Sequence, residues 1–497
     1  MSTHAKDQAE SGHGAARYKM YLQIIPKLPV AAKVALFHML SMSEPSKYVD
    51  FRTEVIVSVL RSFLTPSKPM SITATQTLLN RDPGVKGRIW VSTYVASAEP
   101  SIRDAMIRAI EGLHKGPPLQ DEIKRFPVSV PIEAEWTGYR AAATEESRLP
   151  AISEKEKYDE MMKEVTTPTT VLYFHGGAHY LMDPASHRPT CKKLAKLTGG
   201  RCYSVRYRLA PQSPFPAAVM DALLSYLTLL YPPADAYHTA VKPEHIVFAG
   251  DSAGGNLALA LLQTILELNR QSPSEPISWH GQTISHPIPL PAGLALNSPW
   301  LDMTHSMPSC TANAAFDYLP AFSAGHELPK HPACEAWPAN PPRKTLYVSD
   351  ALIAHPLCTL LMAKSWKGSP PVYICTGWEL LADEDRYLAT KLVKDGVCVV
   401  FEEYQAMPHC FAMIFNGTPG SRRCFDGWAG YIRDVTGGKP IASSFTIIEA
   451  KGLEETPIEV GTLSKFTEEE VQERVNKRIG GAKEVGGLDG LPSPSKL

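Results

Sequence analysis

The decapeptide Phe248-Ala249-Gly250-Asp251-Ser252-Ala253-Gly254-Gly255-Asn256-Leu257 sets one serine inside a Gly-x-Ser-x-Gly pattern, between a short apolar run and a helix-forming segment. That context predicts a strand, a sharp turn and a helix, with the serine side chain held at the tip of the turn. Small residues at Gly250 and Gly254 let the two arms of such a turn approach one another. A serine hydroxyl is a poor nucleophile alone. Ser252 can attack a carbonyl only beside a general base, a carboxylate that orients the base, and donors for the resulting oxyanion.

Upstream, Val171-Leu172-Tyr173-Phe174 is an apolar, β-branched and aromatic run that ends in His175-Gly176-Gly177-Ala178-His179. The run predicts a strand covered on both faces, leading into a glycine-rich turn. With a nucleophile elbow downstream, the loop after such a strand aims backbone N–H groups at the oxyanion, and a side chain there would block the substrate carbonyl. Gly177 and Ala178 are the candidate donors, joined by Ala253 next to the serine. Gly176 and His175 support them. His175 precedes the serine and reads as a hydrogen-bonder that braces the loop, not as the base.

In a Ser, then Asp/Glu, then His order, the base lies near the end of the chain's strand-like segments. His409 follows the run from Val397 to Tyr404 in a short loop, Gln405-Ala406-Met407-Pro408-His409-Cys410-Phe411. An imidazole titrates close to working pH and can take and return a proton. Its rivals His280, His286, His305, His326, His331 and His355 sit in Pro-rich loop sequence and read as surface residues. The acid belongs in the first turn after the strand at 371–377, where Glu379, Asp383, Glu384 and Asp385 compete. Position favours Glu379, with Asp383 as the alternative. Glu384 and Asp385 read as the exposed, negatively charged start of the next helix.

These residues need a scaffold that presents several loops along one edge. Strand-like segments near 169–174, 202–207, 245–250, 293–298, 371–377 and 397–404 alternate with helical ones, which predicts an α/β fold with a mostly parallel, doubly wound sheet. Paired strands around 123–139 would open that sheet, and a helix is expected over Ser101 to Leu113. Residues 1–16 read as disordered, 17–120 as a helical N-terminal cap region, 121–437 as the catalytic domain, and 438–497 as a polar tail with a helix-like piece over 467–478. Within the cap region, Tyr48, Phe51, Val55, Ile56, Val59, Leu60, Phe63 and Leu64 recur at helical spacing, an apolar stripe expected to pack on the catalytic domain. Contact with lipid is the alternative. The Pro- and Ala-rich stretch at about 301–345 is too long for a simple connection and reads as a lid insertion.

Taken together, His175-Gly176-Gly177, Tyr207-Arg208-Leu209-Ala210-Pro211 with Phe215-Pro216-Ala217-Ala218, Gly250-Asp251-Ser252-Ala253-Gly254-Gly255-Asn256 and Met407-Pro408-His409 resemble the hormone-sensitive-lipase-like family of α/β-hydrolases, in family order. Ser298-Pro299-Trp300-Leu301-Asp302 is a weaker fifth block. The resemblance spans residues 165 to 415 or so and implies an α/β-hydrolase fold and a serine esterase that needs no cofactor. Two departures stand out. Ala178 occupies the place of a third glycine, and Glu379 falls where the family usually has an aspartate. Asp221 and Asp302 match positions that look structural.

The 497 residues carry a formal net charge of −1 with no basic stripe, which argues against a nucleic-acid partner. Nine cysteines without a C-x-x-C pair read as reduced core residues, not disulfides or a zinc site. No apolar run reaches the length of a membrane span or of a signal-peptide core. The final Ser495-Lys496-Leu497 matches the peroxisomal address, so a peroxisomal import receptor is an expected partner besides a small ester substrate. Three functions therefore compete: an ester hydrolase, a thioesterase or acyltransferase acting on acyl-CoA or a secondary-metabolite intermediate, and a non-catalytic ligand receptor on the same fold.

Overall fold

A computed structural model of the chain describes residues 25–271, 276–285, 287–321 and 331–484. The 1–16 segment read as disordered, the two histidines at 286 and 326, and the Ser495-Lys496-Leu497 motif lie outside the described residues.

Six strands form at the segments that the alternation predicts. They are β3 (Thr170–Phe174), β4 (Arg201–Val205), β5 (Ile246–Asp251), β6 (Gly293–Asn297), β7 (Val372–Gly377) and β8 (Val399–Tyr404), after β1 (Ile89–Ala96) and β2 (Ile132–Tyr139). With β9 (Ser444–Ile448) and β10 (Glu455–Pro457) they make one sheet in the order β1-β2-β4-β3-β5-β6-β7-β8-β9-β10. Every pairing from β4 through β9 is parallel; β1/β2, β2/β4 and β9/β10 are antiparallel.

Near-continuous apolar runs are needed because both faces of the central strands are covered. Along β3, Leu172 and Phe174 join one core cluster with Leu223, Leu257 and Leu261, whereas Val171 and Tyr173 join the other with Leu194, Trp428 and Ile432. The helices that matter here are α1 (Leu28–Met39), α2 (Phe51–Leu64), α3 (Ile72–Leu79), α4 (Ser101–Leu113), α5 (Pro184–Thr198), α6 (Ala217–Leu230), α7 (Ala253–Gln271), α8 (Ala382–Lys394), α9 (Pro419–Thr436) and α10 (Glu468–Glu484), with shorter ones between them. Helices α4, α6 and α7 supply the first face, and α5 and α9 the second. Trp428 is fully buried, its indole N–H donating to the Ala295 carbonyl at 3.0 Å, so a large apolar body and its one polar atom are both satisfied.

Three expectations are corrected. The stretch 17–120 is not purely helical, because its β-branched and aromatic segment Ile89–Ala96 pairs along its whole length with β2; the turn at Gln120–Ile123 is helical, not a strand partner. The sheet also extends into the segment read as a polar tail. Strand β9 continues the parallel order beside β8, β10 closes the edge, and α10 buries Val471 and Val475. Finally, the apolar stripe at 48–64 packs only in part: Tyr48, Val55, Val59 and Leu60 are half-buried, whereas Phe51, Ile56, Phe63 and Leu64 are exposed, and the buried positions of α2 are Glu54 and Val57. Polar anchors hold the helix as well. Glu54 accepts from Ser43 Oγ at 2.9 Å and pairs with His38, while the Arg61 guanidinium caps carbonyls of the 301–345 insertion. Among the described residues no helix is long and apolar enough to cross a membrane, and all nine cysteines are free thiols.

Candidate active site

The carboxyl ends of β3, β5, β6, β7 and β8 lie side by side, and all but β6 are followed by a candidate residue, so a parallel sheet gathers at one edge what the sequence scatters over more than two hundred positions. Ser252 follows β5 with φ of 54°, a left-handed conformation that costs a non-glycine residue free energy and persists only where the surroundings fix it. They do so here. Its N–H donates to the Asn297 carbonyl at 3.0 Å, and its own carbonyl accepts from Trp300 N at 3.0 Å and Asn256 N at 3.1 Å. A Cβ at Gly254 would stand 2.0 Å from the Phe174 carbonyl oxygen, so only glycine lets the first turn of α7 pass the end of β3. Among the described residues the Ser252 Oγ itself takes no hydrogen bond, to His409 or to any other group. Such contacts are often long before substrate arrives and tighten afterwards.

The loop after β3 has three consecutive positive φ values, 108° at Gly177, 53° at Ala178 and 61° at His179. A side chain at Gly177 would meet the Leu181 carbonyl at 2.2 Å. Gly176 spends its N–H on Asp251 Oδ1 at 3.2 Å, the carboxylate that also accepts from Tyr173 Oη at 2.6 Å and faces His187 Nε2 at 3.3 Å. Burial pushes the Asp251 carboxyl up, but the neighbouring His187 and Tyr173 more than offset it and leave its pKa below the ordinary value. The N–H groups of Gly177, Ala178 and Ala253 find no acceptor among the described residues. His175 braces the loop: its ring stacks on Tyr207 at 4.3 Å between centroids, and its Nδ1 lies 2.7 Å from the Gly176 carbonyl. Burial drives its pKa down to about 3, so it stays neutral.

At the ends of β7 and β8, Glu379 and His409 meet. The His409 Nδ1 lies 2.8 Å from Glu379 Oε1, and both side chains are buried. The second carboxylate oxygen, Oε2, accepts from Ser298 Oγ at 2.6 Å and from Gly377 N at 3.3 Å, which fixes the carboxylate plane. Ser298 Oγ in turn accepts from Cys410 N at 3.2 Å. Burial by itself disfavours the imidazolium; Cys410 and Glu379 outweigh it and hold the His409 pKa well above the ordinary histidine value. The Cys410 thiol is pushed up to about 12 by burial and is neutral at neutral pH, so the Glu379 carboxylate supplies the stabilising charge.

The other candidates lie apart from this pair. Asp383 accepts from Ser309 N at 2.9 Å and faces Arg386 at 3.1 Å. Glu384 and Asp385, expected to be exposed, are buried in the first turn of α8, and burial holds both pKa values well above the carboxylate range. Tertiary packing here overrides the helix-terminus argument that placed them in water. His355, expected at the surface, is buried against α4, its Nε2 3.0 Å from the Ile110 carbonyl. Asp221 pairs with Arg208 at 2.7 Å and Asp302 accepts from Thr304 and Ser306, structural roles in both cases. Pattern reading passed over Ser298, Asp251 and Asp317 as functional residues. The first two lie inside recognisable motifs; Asp317 has no motif at all. Among the described residues no group of three or more His, Cys, Asp or Glu side chains is placed to hold a metal ion.

A family model for the alpha/beta hydrolase fold matches residues 171–413, which include Ser252, Glu379 and His409. The chain is 31% identical over 269 residues to an acetyl-hydrolase of Streptomyces hygroscopicus, covering 54% of this chain and 76% of that protein. It is 29% identical over 267 residues to an esterase of Acinetobacter venetianus, covering 53% of this chain and 75% of that one. Among solved structures, EstE5 soaked with p-nitrophenyl butyrate superposes with a TM-score of 0.52 at 21% identity, over 78% of this chain and 99% of EstE5. With a serine elbow after β5 and a buried acid–histidine pair after β7 and β8 inside the matched region, and with a relative 31% identical over three quarters of its length, the chain belongs to the hormone-sensitive-lipase-like family of α/β-hydrolases.

Proposed function

We propose that this protein is a serine hydrolase of carboxylic esters, acting on small to medium, mainly apolar substrates through an acyl-enzyme. Ser252 attacks the ester carbonyl while His409 Nε2 takes its proton, and Glu379 holds the imidazole in the tautomer that makes this possible. The N–H groups of Gly177, Ala178 and Ala253 donate to the oxyanion. The alcohol leaves with the proton from His409; water then attacks the acyl-enzyme by the reverse path, restoring the serine. The observation that carries this reading is the buried 2.8 Å pair of Glu379 and His409 at the strand ends beside the elbow serine. The names of the relatives, an acetyl-hydrolase and an esterase, support the same bond type.

The test is a panel of p-nitrophenyl esters of increasing acyl length, acyl-CoA thioesters, and esters with alcohol acceptors, alongside labelling by a fluorophosphonate probe. Ester hydrolysis with labelling at Ser252 is the expected result. Preference for the thioester, or net transfer to the acceptor, assigns the site to a thioesterase or acyltransferase. No labelling and no turnover makes the fold a ligand receptor.

Residues 495–497 extend the proposal to peroxisomal import, supported by the residue types alone. A fluorescent fusion that keeps the three C-terminal residues free is expected to co-localise with a peroxisomal marker and to become diffuse when Ser495 to Leu497 are removed. Diffuse signal with the motif intact removes the import receptor from the list of partners.

A further inference from the structure

The loops that carry Glu379 and His409 are tied together by a carboxylate from outside the pair. Asp317 lies in the 301–345 insertion and is completely buried. Its Oδ2 accepts from Leu380 N at 2.8 Å, in the turn that carries the acid. Its Oδ1 accepts from His409 N at 3.2 Å, and from Leu319 N at 3.2 Å within the insertion. One side chain thus satisfies a backbone donor on each of the two catalytic loops. Neighbouring contacts reinforce the tie: Asn313 Nδ2 donates to the Glu379 carbonyl at 2.9 Å, and the Tyr318 ring sits 6.1 Å from the His409 ring.

The insertion is itself held from the N-terminal side. Arg61 of α2 donates to the Ala314 carbonyl at 2.7 Å, to the Ala315 carbonyl at 3.2 Å, and through Nε to the Asp317 carbonyl at 2.9 Å. A guanidinium that donates through both Nε and Nη2 to backbone carbonyls fixes a loop more tightly than one apolar contact would, because several directional bonds must break together. The alignment of the acid and the base therefore depends on a chain of contacts running from α2 through the insertion to the two loops.

We infer that Asp317 is a positioning residue for the Glu379–His409 pair and that Arg61 holds it in place, so the stretch around Asp317 and helix α2 help to align the acid and the base. The inference rests on the proposed hydrolase reading. Asparagine is the discriminating substitution: it keeps the size, but its amide can accept on one atom only, so its NH2 must face the N–H of Leu380 or His409. The loop bearing that unsatisfied donor shifts, and displacements of about 1 Å at a reacting group cost on the order of 100-fold in rate.

The experiment measures kcat and KM for a short-chain p-nitrophenyl ester in the parent, Asp317→Asn and Arg61→Lys, per active site titrated with the fluorophosphonate, and in Ser252→Ala per mole of folded protein. Circular dichroism and Tm report folding. Expected is a roughly 10- to 100-fold fall in kcat for Asp317→Asn with KM within about twofold, and a smaller fall of the same kind for Arg61→Lys. A loss of folded protein alone lowers the titrated sites and leaves kcat per site unchanged. Folded Asp317→Asn with parental kcat overturns the inference. If that variant does not fold, parental kcat per site in Arg61→Lys overturns it, and a selective kcat loss there supports it. Hydrolysis persisting in Ser252→Ala instead overturns the functional reading on which the inference stands.

Discussion

Replacing Ser252 with alanine is expected to lower kcat on the order of 10⁵- to 10⁶-fold while leaving the fold intact. The size follows from the way a triad acts as one unit: without the nucleophile, the imidazole has no proton to take, and only substrate binding and the oxyanion donors remain. The intact fold follows from local structure. The strained turn at φ 54° is held by backbone bonds to Asn297, Trp300 and Asn256, and the Oγ takes part in none of them. Alanine tolerates that φ about as poorly as serine, so the change in stability is expected to stay within about 0.5 kcal/mol, the range of substitutions that remove no structural contact. Steady-state hydrolysis of a p-nitrophenyl ester, fluorophosphonate labelling and a thermal melt together check this. A variant that retains a tenth of the parental turnover would show that another residue is the nucleophile.

How far such a site can be read from sequence depends on what kind of partner each residue has. The placement of Ser252, Glu379 and His409 just past strand ends was legible because each follows a strand whose apolar run is continuous, and β3 through β8 fall at the predicted segments. Two-sided burial in a parallel sheet writes itself into composition. The same signal marks Ile89–Ala96, but the helical segments on both sides of it drew that strand into the cap region. β9 and β10 left a weaker trace: Ser444–Ile448 begins exposed and only half-buries its middle, and Glu455–Pro457 is exposed throughout, so neither carries a core pattern.

Asp317 and Ser298 show a different limit. Both serve backbone N–H groups, at Leu380, His409 and Cys410, and a backbone donor has no residue type for a pattern to register. Glu384 and Asp385 mark the reverse error. Acidic residues in a first helical turn suit the helix dipole, yet this turn begins under the insertion, where the neutral form is the one favoured by burial. Arg61 was hidden for a further reason. Its helix shows an apolar stripe, while the contacts that hold it lie on the polar side, about 250 residues away in sequence.

Exchanging Glu379 for glutamine is expected to lower kcat by about 10⁴-fold, whereas Asp383→Asn should stay within a few-fold of the parent. The structure says which way the new amide must turn. The Oε2 position accepts from Ser298 Oγ and Gly377 N, so it must remain an oxygen, and the NH2 then falls opposite His409 Nδ1. A donor there forces Nδ1 to be the acceptor and leaves the proton on Nε2, the nitrogen that has to receive the Ser252 proton. The pH profile supplies a second readout with a definite sign. In the parent, Cys410 and Glu379 together hold the His409 pKa well above the ordinary value, so kcat/KM rises with pH through an elevated limb. Without the Glu379 charge one of the causes that raise the pKa is lost, the pKa falls, and the limb of the residual activity moves to lower pH. Asp383 carries no such load, since its partners are Ser309 and Arg386, and its loss acts through stability by about 1 kcal/mol. Should Asp383→Asn instead show the larger loss and the shifted limb, Asp383 would be the triad acid, despite the 2.8 Å contact that Glu379 makes with the imidazole.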